Sequence, residues 1–297
     1  MTLAQRAGTG EAPPSGALRA RLPDGRLHLQ HGPVDLVLRA DGPPGEVERA
    51  YAQAAAAFAG LLEALVAELP LLKRPLGDAL PAVSGPVALR MAHAVWPYRD
   101  RYITPMAAVA GSVAQHLLEA AVAGRGLARA YVNNGGDIAL WLAPEQSLAV
   151  GLVARLDAPR VERRVAVTAQ CPVRGVATSG WGGRSFSLGI ADAVTVFAAT
   201  APAADAAATV VANAVTVDHP GIRRAPARTL QPDSDLGDIP VTVGVEMREP
   251  DAIAEALDGG AREAARWLRG GTLLGAVLFL AGQSRSVGWV GGVTPDA

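Results

Sequence analysis

Strand-like and helix-like segments do not alternate along this 297-residue chain, and that order constrains the fold more than any single motif does. Short strands come first. Leu18-Arg-Ala-Arg-Leu22 and Arg26-Leu-His-Leu-Gln30 alternate apolar and polar residues around an Asp24-Gly25 turn, the pattern of a β-hairpin, and Val34-Asp-Leu-Val-Leu38 follows. Tyr51, Ala54, Phe58, Leu61, Leu62, Leu65 and Leu69 recur at helical spacing and predict one helix from Glu46 to Leu69, ended by Pro70. Val87 to Tyr98 reads as strand or loop. Thr104-Pro105 has the residue types of a helix start, and small, apolar residues continue to about Ala123. Short strands are expected between Ala128 and Ala198, then an Ala-rich helix over Ala201–Val215 and a polar loop over Asp218–Asp238. A strand at Val241–Val245, a helix over Pro250–Leu268 and a hairpin around Ala281-Gly282-Gln283 complete the chain. Regular alternation would give a parallel, doubly wound sheet. This order predicts an α+β protein whose mixed, largely antiparallel sheet packs with helices. There is no GxGxxG, no P-loop and no internal repeat.

Composition narrows the function classes. Hydrophobic residues make up 50% of the chain, enough for a substantial core. Charged residues make up 19%, the net charge is −1 and Lys73 is the single lysine, so no basic stripe suggests a nucleic-acid partner. Cys171 is the one cysteine, which rules out an intramolecular disulfide and a multi-cysteine metal site. It reads either as a reactive thiol or as a small packed residue before Pro172. No apolar run reaches the roughly 18 residues of a membrane span, and Met1–Gly16 lacks the apolar region of a signal peptide. The expectation is a cytoplasmic protein with a disordered tail over residues 1–16 and one domain over 17–297. The Ala-rich helices suit a tight homodimer and a core equally.

Three segments combine tight turns with short polar side chains. Tyr131-Val-Asn133-Asn134-Gly135-Gly136-Asp137 reads as a hairpin turn, or as a turn whose paired glycines let backbone N–H groups approach a phosphate or a flavin ring. Gly175-Val-Ala-Thr178-Ser179-Gly180, continuing through Arg184 and Ser185 to Gly189, concentrates hydroxyls, glycines and one arginine. Such a loop can surround an anion with backbone and hydroxyl donors, Arg184 acting as a fork. In Asp205-Ala-Ala-Ala-Thr209, continuing to Asn213, a helix would place the polar residues on one face, able to hold a hard cation through oxygen. The same Asp205 could simply favour a helix N-terminus. The five histidines show no ligand spacing.

Taken together, Asn-Gly-Gly-Asp, Thr-Ser-Gly, the strand Val194-Thr-Val196 and Ala-Asp-Ala-x-x-Thr stand in the order seen in ApbE-type proteins, the FAD:protein FMN transferases, which this chain resembles. The whole chain is similar to an uncharacterised ApbE-like family in which a stretch like Thr104-Pro-Met-Ala-Ala-Val-Ala-Gly111 precedes the same motifs. The resemblance implies an ApbE-like fold, FAD or FMN as ligand and Mg²⁺ as metal. By motif match it assigns Asp205 and Thr209 to the metal. Asn134, Gly135, Gly136, Asp137, Thr178, Ser179 and Gly180 fall to ligand binding, with Arg184 and Ser185 in the same loop. Asp137 is the candidate base, and Asp192 a second one. The chain departs from the transferases at Ala110-Gly111 and Gln115, where they carry Lys-Gly and Asp. Its segment Trp181–Ala193 is also shortened and has no histidine. The similar family implies a role in sulfur assimilation as an alternative, although Ala177 stands where cysteine is frequent there. A flavin carrier or interaction scaffold without turnover is the non-enzymatic alternative.

Overall fold

A computed structural model of the protein describes residues 16–291 and 293–295. The tail expected over residues 1–16 lies, apart from Gly16, outside the described residues. β1 (Leu18–Arg21) and β2 (Leu27–His31) form the expected hairpin, with Leu18 opposite Gln30 and Arg21 opposite Leu27. In β3 (Val34–Asp41), Val34, Leu36, Leu38 and Ala40 point into the core while the intervening residues face outward, the two-residue period of a half-buried strand.

The single helix expected over 46–69 is two, α1 (Pro44–Phe58) and α2 (Leu61–Leu72). Ala59 is extended and Gly60 is left-handed at φ 74°, so the chain turns between Phe58 and Leu61 while both side chains stay buried. Pro70 does not end α2. The carbonyl it leaves without a donor belongs to Val66, a residue exposed to water. Val87–Tyr98 is neither strand nor loop. Pro86 opens α3 (Pro86–Val95), which buries Val87, Ala88, Met91, Ala92 and Val95 along one face and continues into a 3₁₀ turn at Trp96–Tyr98. Thr104-Pro105 opens a 3₁₀ turn (Pro105–Ala108) that leads into α4 (Val109–Val122).

β4 (Arg129–Asn134), β5 (Asp137–Leu142), β6 (Ser147–Val153), β7 (Val161–Thr168), β8 (Gly175–Ser179), β9 (Ala193–Ala198) and α5 (Ala201–Ala214) follow as expected. The stretch expected as loop over 218–238 contains β10 (Ile222–Pro226) and the single-turn α6 (Ala227–Leu230), because β11 (Pro240–Val245) pairs with β10. The chain ends with α7 (Pro250–Arg269), β12 (Gly275–Leu280), β13 (Gln283–Gly288) and β14 (Val293–Pro295).

Nine strands form one sheet in the order β1-β2-β3-β4-β5-β8-β9-β12-β13, and every pairing in it is antiparallel. β14-β7-β6 form a second sheet and β10-β11 a third. The protein is therefore α+β with antiparallel sheets. β9 and β12 are buried along their whole length, as near-continuous apolar strands at the centre of a covered sheet should be. Alternate residues of β12 serve opposite cores. Ala276, Leu278 and Leu280 pack with α5 and α7, while Val277 and Phe279 pack with Val150, Leu152, Val165 and Val167 of the β6–β7 hairpin. Among the described residues no single helix is long and apolar enough to cross a membrane. α1 and α2 together meet the length and composition, but they are bent by about 40° and bury Tyr51, Phe58, Leu61, Leu65 and Leu72 in the core.

Candidate functional site

Segments far apart in sequence meet where α5 lies against β5 and β8. Asp137 begins β5, and strand alternation puts its side chain on the face of Ala139, the face covered by helices. Asp205 lies one turn into α5. Its Oδ2 accepts the Gly111 N–H at 2.9 Å, and the Ala110 N–H adds to this, so the carboxylate caps the first turn of α4 from across the helix interface. Asp137 Oδ1 accepts the Thr178 N–H at 3.3 Å. Asn134, buried at the end of β4, donates from Nδ2 to the Ala110 carbonyl at 3.2 Å, which pins the β4–β5 turn to the same helix end. Asn133 Oδ1 accepts the Gly136 N–H at 2.8 Å and shapes that turn.

The two carboxylates feel each other. Burial pushes Asp137 up to about 7, against the Thr178 N–H and the Arg184 guanidinium, which favour its charge. Burial and then the charge of Asp137 push Asp205 well above the ordinary carboxylate range, against the N–H groups of Gly111 and Ala110. Both residues are half-buried, so the pair lies in a niche at the edge of the core. Two like charges held together, with an arginine beside one of them, form a perturbed cluster of the kind that marks functional sites.

The other expected residues divide. Gly135 and Gly136 are left-handed at φ 68° and 113°, and a Cβ at Gly136 would meet nothing within 4 Å, so this backbone is open to close approach. Arg184 is exposed and its guanidinium lies against Gly135. Thr209 stands one turn beyond Asp205 on α5, partly exposed. Ser179 ends β8 on the face of Ala177, and Ser185 is exposed beside Arg184. Thr178 reaches the pair only through its backbone, because its hydroxyl pairs with the buried Thr195 hydroxyl at 2.9 Å. Gly180 answers a packing need. A Cβ there would fall 2.6 Å from the Asp192 carbonyl oxygen and 2.9 Å from that of Ala191.

Asn213 anchors the loop instead of facing the pair, its Oδ1 accepting the Leu188 N–H at 2.9 Å. Asp192 is held apart, accepting the Ala281 N–H at 2.7 Å and the Trp181 indole N–H at 3.2 Å. Cys171 packs against the core on the opposite face of the sheet. Sequence reasoning marked Ala110-Gly111 only as a departure from the transferases, and the backbone contacts of this pair with Asp205 and Asn134 were not foreseen. Their one signal was the run of small residues there, and a Cβ at Gly111 would strike the Ala201 carbonyl and lie 3.0 Å from the Asp205 Cβ. A separate cleft of about 190 Å³ between α2, α3 and α4 is lined by Leu61, Leu65, Val87 and His116 and by none of the site residues.

A family model described as "AbpE bacteria" matches residues 19–286. The chain belongs to this ApbE-like family. Its relatives include the UPF0280 protein of Methanosphaerula palustris, 37% identical over 165 residues, which are 55% of this chain and 66% of that protein. The UPF0280 protein of Methanothrix thermoacetophila is 39% identical over 45% of this chain and 54% of its own length. That of Methanopyrus kandleri is 36% identical over 61% of this chain and 72% of its own length. The chain thus spans 54% and 66% of the first two of these relatives, just over half and just under two thirds. Among solved structures, the apo form of Pseudomonas stutzeri flavinyl transferase ApbE aligns over 92% of this chain and 93% of its own, with 13% identity and a TM-score of 0.40. Flavin transferase ApbE from Vibrio cholerae aligns over 93% and 98%, with 12% identity and the same TM-score of 0.40. Membership in the ApbE-like family rests on the family model and on the UPF0280 relatives.

The Thr178 geometry gives a first test within this family site. Thr178→Val should leave ligand binding unchanged and cost about 1–3 kcal/mol of stability by stranding the Thr195 hydroxyl. A lowered ligand affinity with an unshifted urea midpoint would instead put the Thr178 hydroxyl in the pocket.

Proposed function

We propose that this site binds a flavin nucleotide, FAD or FMN, together with Mg²⁺, and that the protein is an FMN transferase. The observation that supports the reading is the meeting of Asp137 and Asp205, which come from two of the matching motifs, beside the backbone donor of the third. Family membership and the motif resemblance supply the ligand class.

The residues present fit a magnesium ion. Asp205 and Thr209 offer hard oxygen donors one helical turn apart, and Asp137 adds negative charge nearby. Among the described residues no group of three or more His, Cys, Asp or Glu side chains could hold a metal. A magnesium ion held by one or two carboxylates would complete its shell with water and substrate phosphate. Held by Asp205 and Thr209, a magnesium ion would supply positive charge against a pyrophosphate. The chain's own residues do the rest. Gly136 leaves room for close approach, the Asp205 carboxylate orients α4 and α5 about the niche, and Asp137 accepts a proton from an acceptor hydroxyl. In the metal-free protein burial raises Asp137 above the ordinary carboxylate range, which favours its taking up a proton. Cys171, on the far face of the sheet, gives the sulfur-assimilation alternative no support.

Calorimetric titration with FAD, with and without Mg²⁺, should show binding that the metal strengthens, and AMP should appear in the same samples when an acceptor threonine peptide is present. Binding without AMP would reduce the protein to a flavin carrier. No binding to FAD under either condition would remove the flavin reading.

A further inference from the structure

We propose that Arg184 couples metal binding to the arrival of an anionic, phosphate-bearing ligand. This rests on the reading of the site as a metal-and-phosphate pocket and adds to it the chemical class that the ligand must have.

The guanidinium is seated on the β4–β5 turn. A Cβ at Gly135 would strike Arg184 Nη2 and lie 3.3 Å from Cζ, so only glycine lets the arginine lie this close to the turn that carries Asp137. Arg184 is also the cation that acts on the Asp137 carboxylate. A fixed positive charge at that position weakens the attraction of the carboxylate pair for a free metal ion. It is the reverse of what a site built to hold a resident metal would place there. The same charge becomes favourable once a ligand brings phosphate oxygens between the arginine and the metal, because a planar fork donor binds such oxygens through paired, charge-assisted hydrogen bonds. Arg184 is exposed and carried on a glycine-rich loop after β8, so it can turn from Asp137 to the ligand without disturbing the core. Metal and phosphate then favour each other's binding, and the coupling is reciprocal. A neutral ligand of the same shape gains nothing from it.

The test reads two affinities that should move in opposite directions. Mn²⁺ alone, followed by the electron paramagnetic resonance of the free ion, should bind Arg184→Ala about tenfold more tightly than wild type, a shift equal to one pKa unit. FAD at a fixed, saturating Mg²⁺ concentration should bind the same variant about tenfold or more weakly, while riboflavin, which lacks phosphate, should be unaffected. Arg184→Lys keeps the charge without the fork, so it should restore the weak metal affinity while recovering only part of the FAD affinity. Gly135→Asn tolerates the left-handed turn and displaces the flexible end of the arginine, so it should reproduce the tighter Mn²⁺ binding by an independent route. If both affinities fall together, or neither moves, Arg184 does not couple them, although the site itself stands. If wild type binds neither Mn²⁺ nor FAD, the metal-and-phosphate reading fails and this coupling fails with it.

Discussion

Asp205→Asn should lose at least ~100-fold in Mn²⁺ affinity and, in the absence of metal at pH 8, melt higher than wild type by a few degrees. The two changes have one cause. Asp205 is half-buried beside Asp137, and its charge is opposed by both desolvation and that neighbour. Asparagine removes the charge and with it the repulsion, but keeps an oxygen that can accept the Gly111 N–H. The helix interface therefore survives while the anionic donor for the metal disappears. Asp205→Ala separates the two roles. It also loses the metal, but it leaves the N–H groups at the start of α4 without their acceptor and should cost about 1–3 kcal/mol. Calorimetric melting of both variants, with Mn²⁺ titration beside it, distinguishes a metal ligand from a helix cap. Asparagine at 205 with wild-type Mn²⁺ affinity would leave Asp205 as a cap and nothing more.

The contact of Asp205 with the start of α4 shows how much of this region could be read from the residues alone. The segments carrying Asp137, Asp205 and Thr178 stand out in the sequence because each has a recognisable turn or helix signature, and they meet in the fold. Their hydrogen-bond partners are backbone groups, the N–H of Gly111, the carbonyl of Ala110 and the N–H of Thr178, and a backbone group leaves no mark in a sequence. Gly180 looked like a ligand-facing glycine because the loop around it is polar, yet it is required by the close carbonyls of Ala191 and Asp192. The fold shows the same division. Hairpins with a strong turn signal, β1–β2 at Asp24-Gly25 and β12–β13 at Ala281-Gly282, were legible. The break at Gly60 was not, because apolar residues run through it at helical spacing on both sides. α3 was missed although Val87, Ala88, Met91, Ala92 and Val95 trace a helical face, since Trp96-Pro97 and the Pro-rich stretch before it obscured the period. β10 had to wait for its partner β11, with Arg224 opposite Thr242 and a register shift beside it, because a five-residue strand with no apolar–polar alternation is defined by pairing more than by pattern.

The metal-free protein should lose stability as pH rises from about 4 to 8, counter to the usual behaviour of a protein rich in paired carboxylates. Asp137 has a folded-state pKa of about 7 against an ordinary 3.8, so between those values the folded protein holds a proton that the unfolded chain has released. Unfolding then releases protons, and stability falls with rising pH across that window. Asp205 is raised for the same reasons and extends the window upward. Asp192, also raised by burial, adds in the same direction. Carboxylates held low by arginines, such as Asp41 and Glu119, have the opposite sign but act only at and below the ordinary carboxylate range. His116 opposes the trend near neutral pH, because burial and then Arg90 lower its pKa. The difference between wild type and Asp137→Asn removes that common background. It also removes the charge of Asp137 from Asp205, which burial still raises, so the variant's melting temperature should fall less steeply than the wild-type value across this window. Saturating Mg²⁺ should restore more wild-type stability at pH 8 than at pH 5, where the metal must displace more protons. Parallel pH profiles for wild type and Asp137→Asn would mean that the two carboxylates do not share a field, and the site built on their proximity would have to be abandoned.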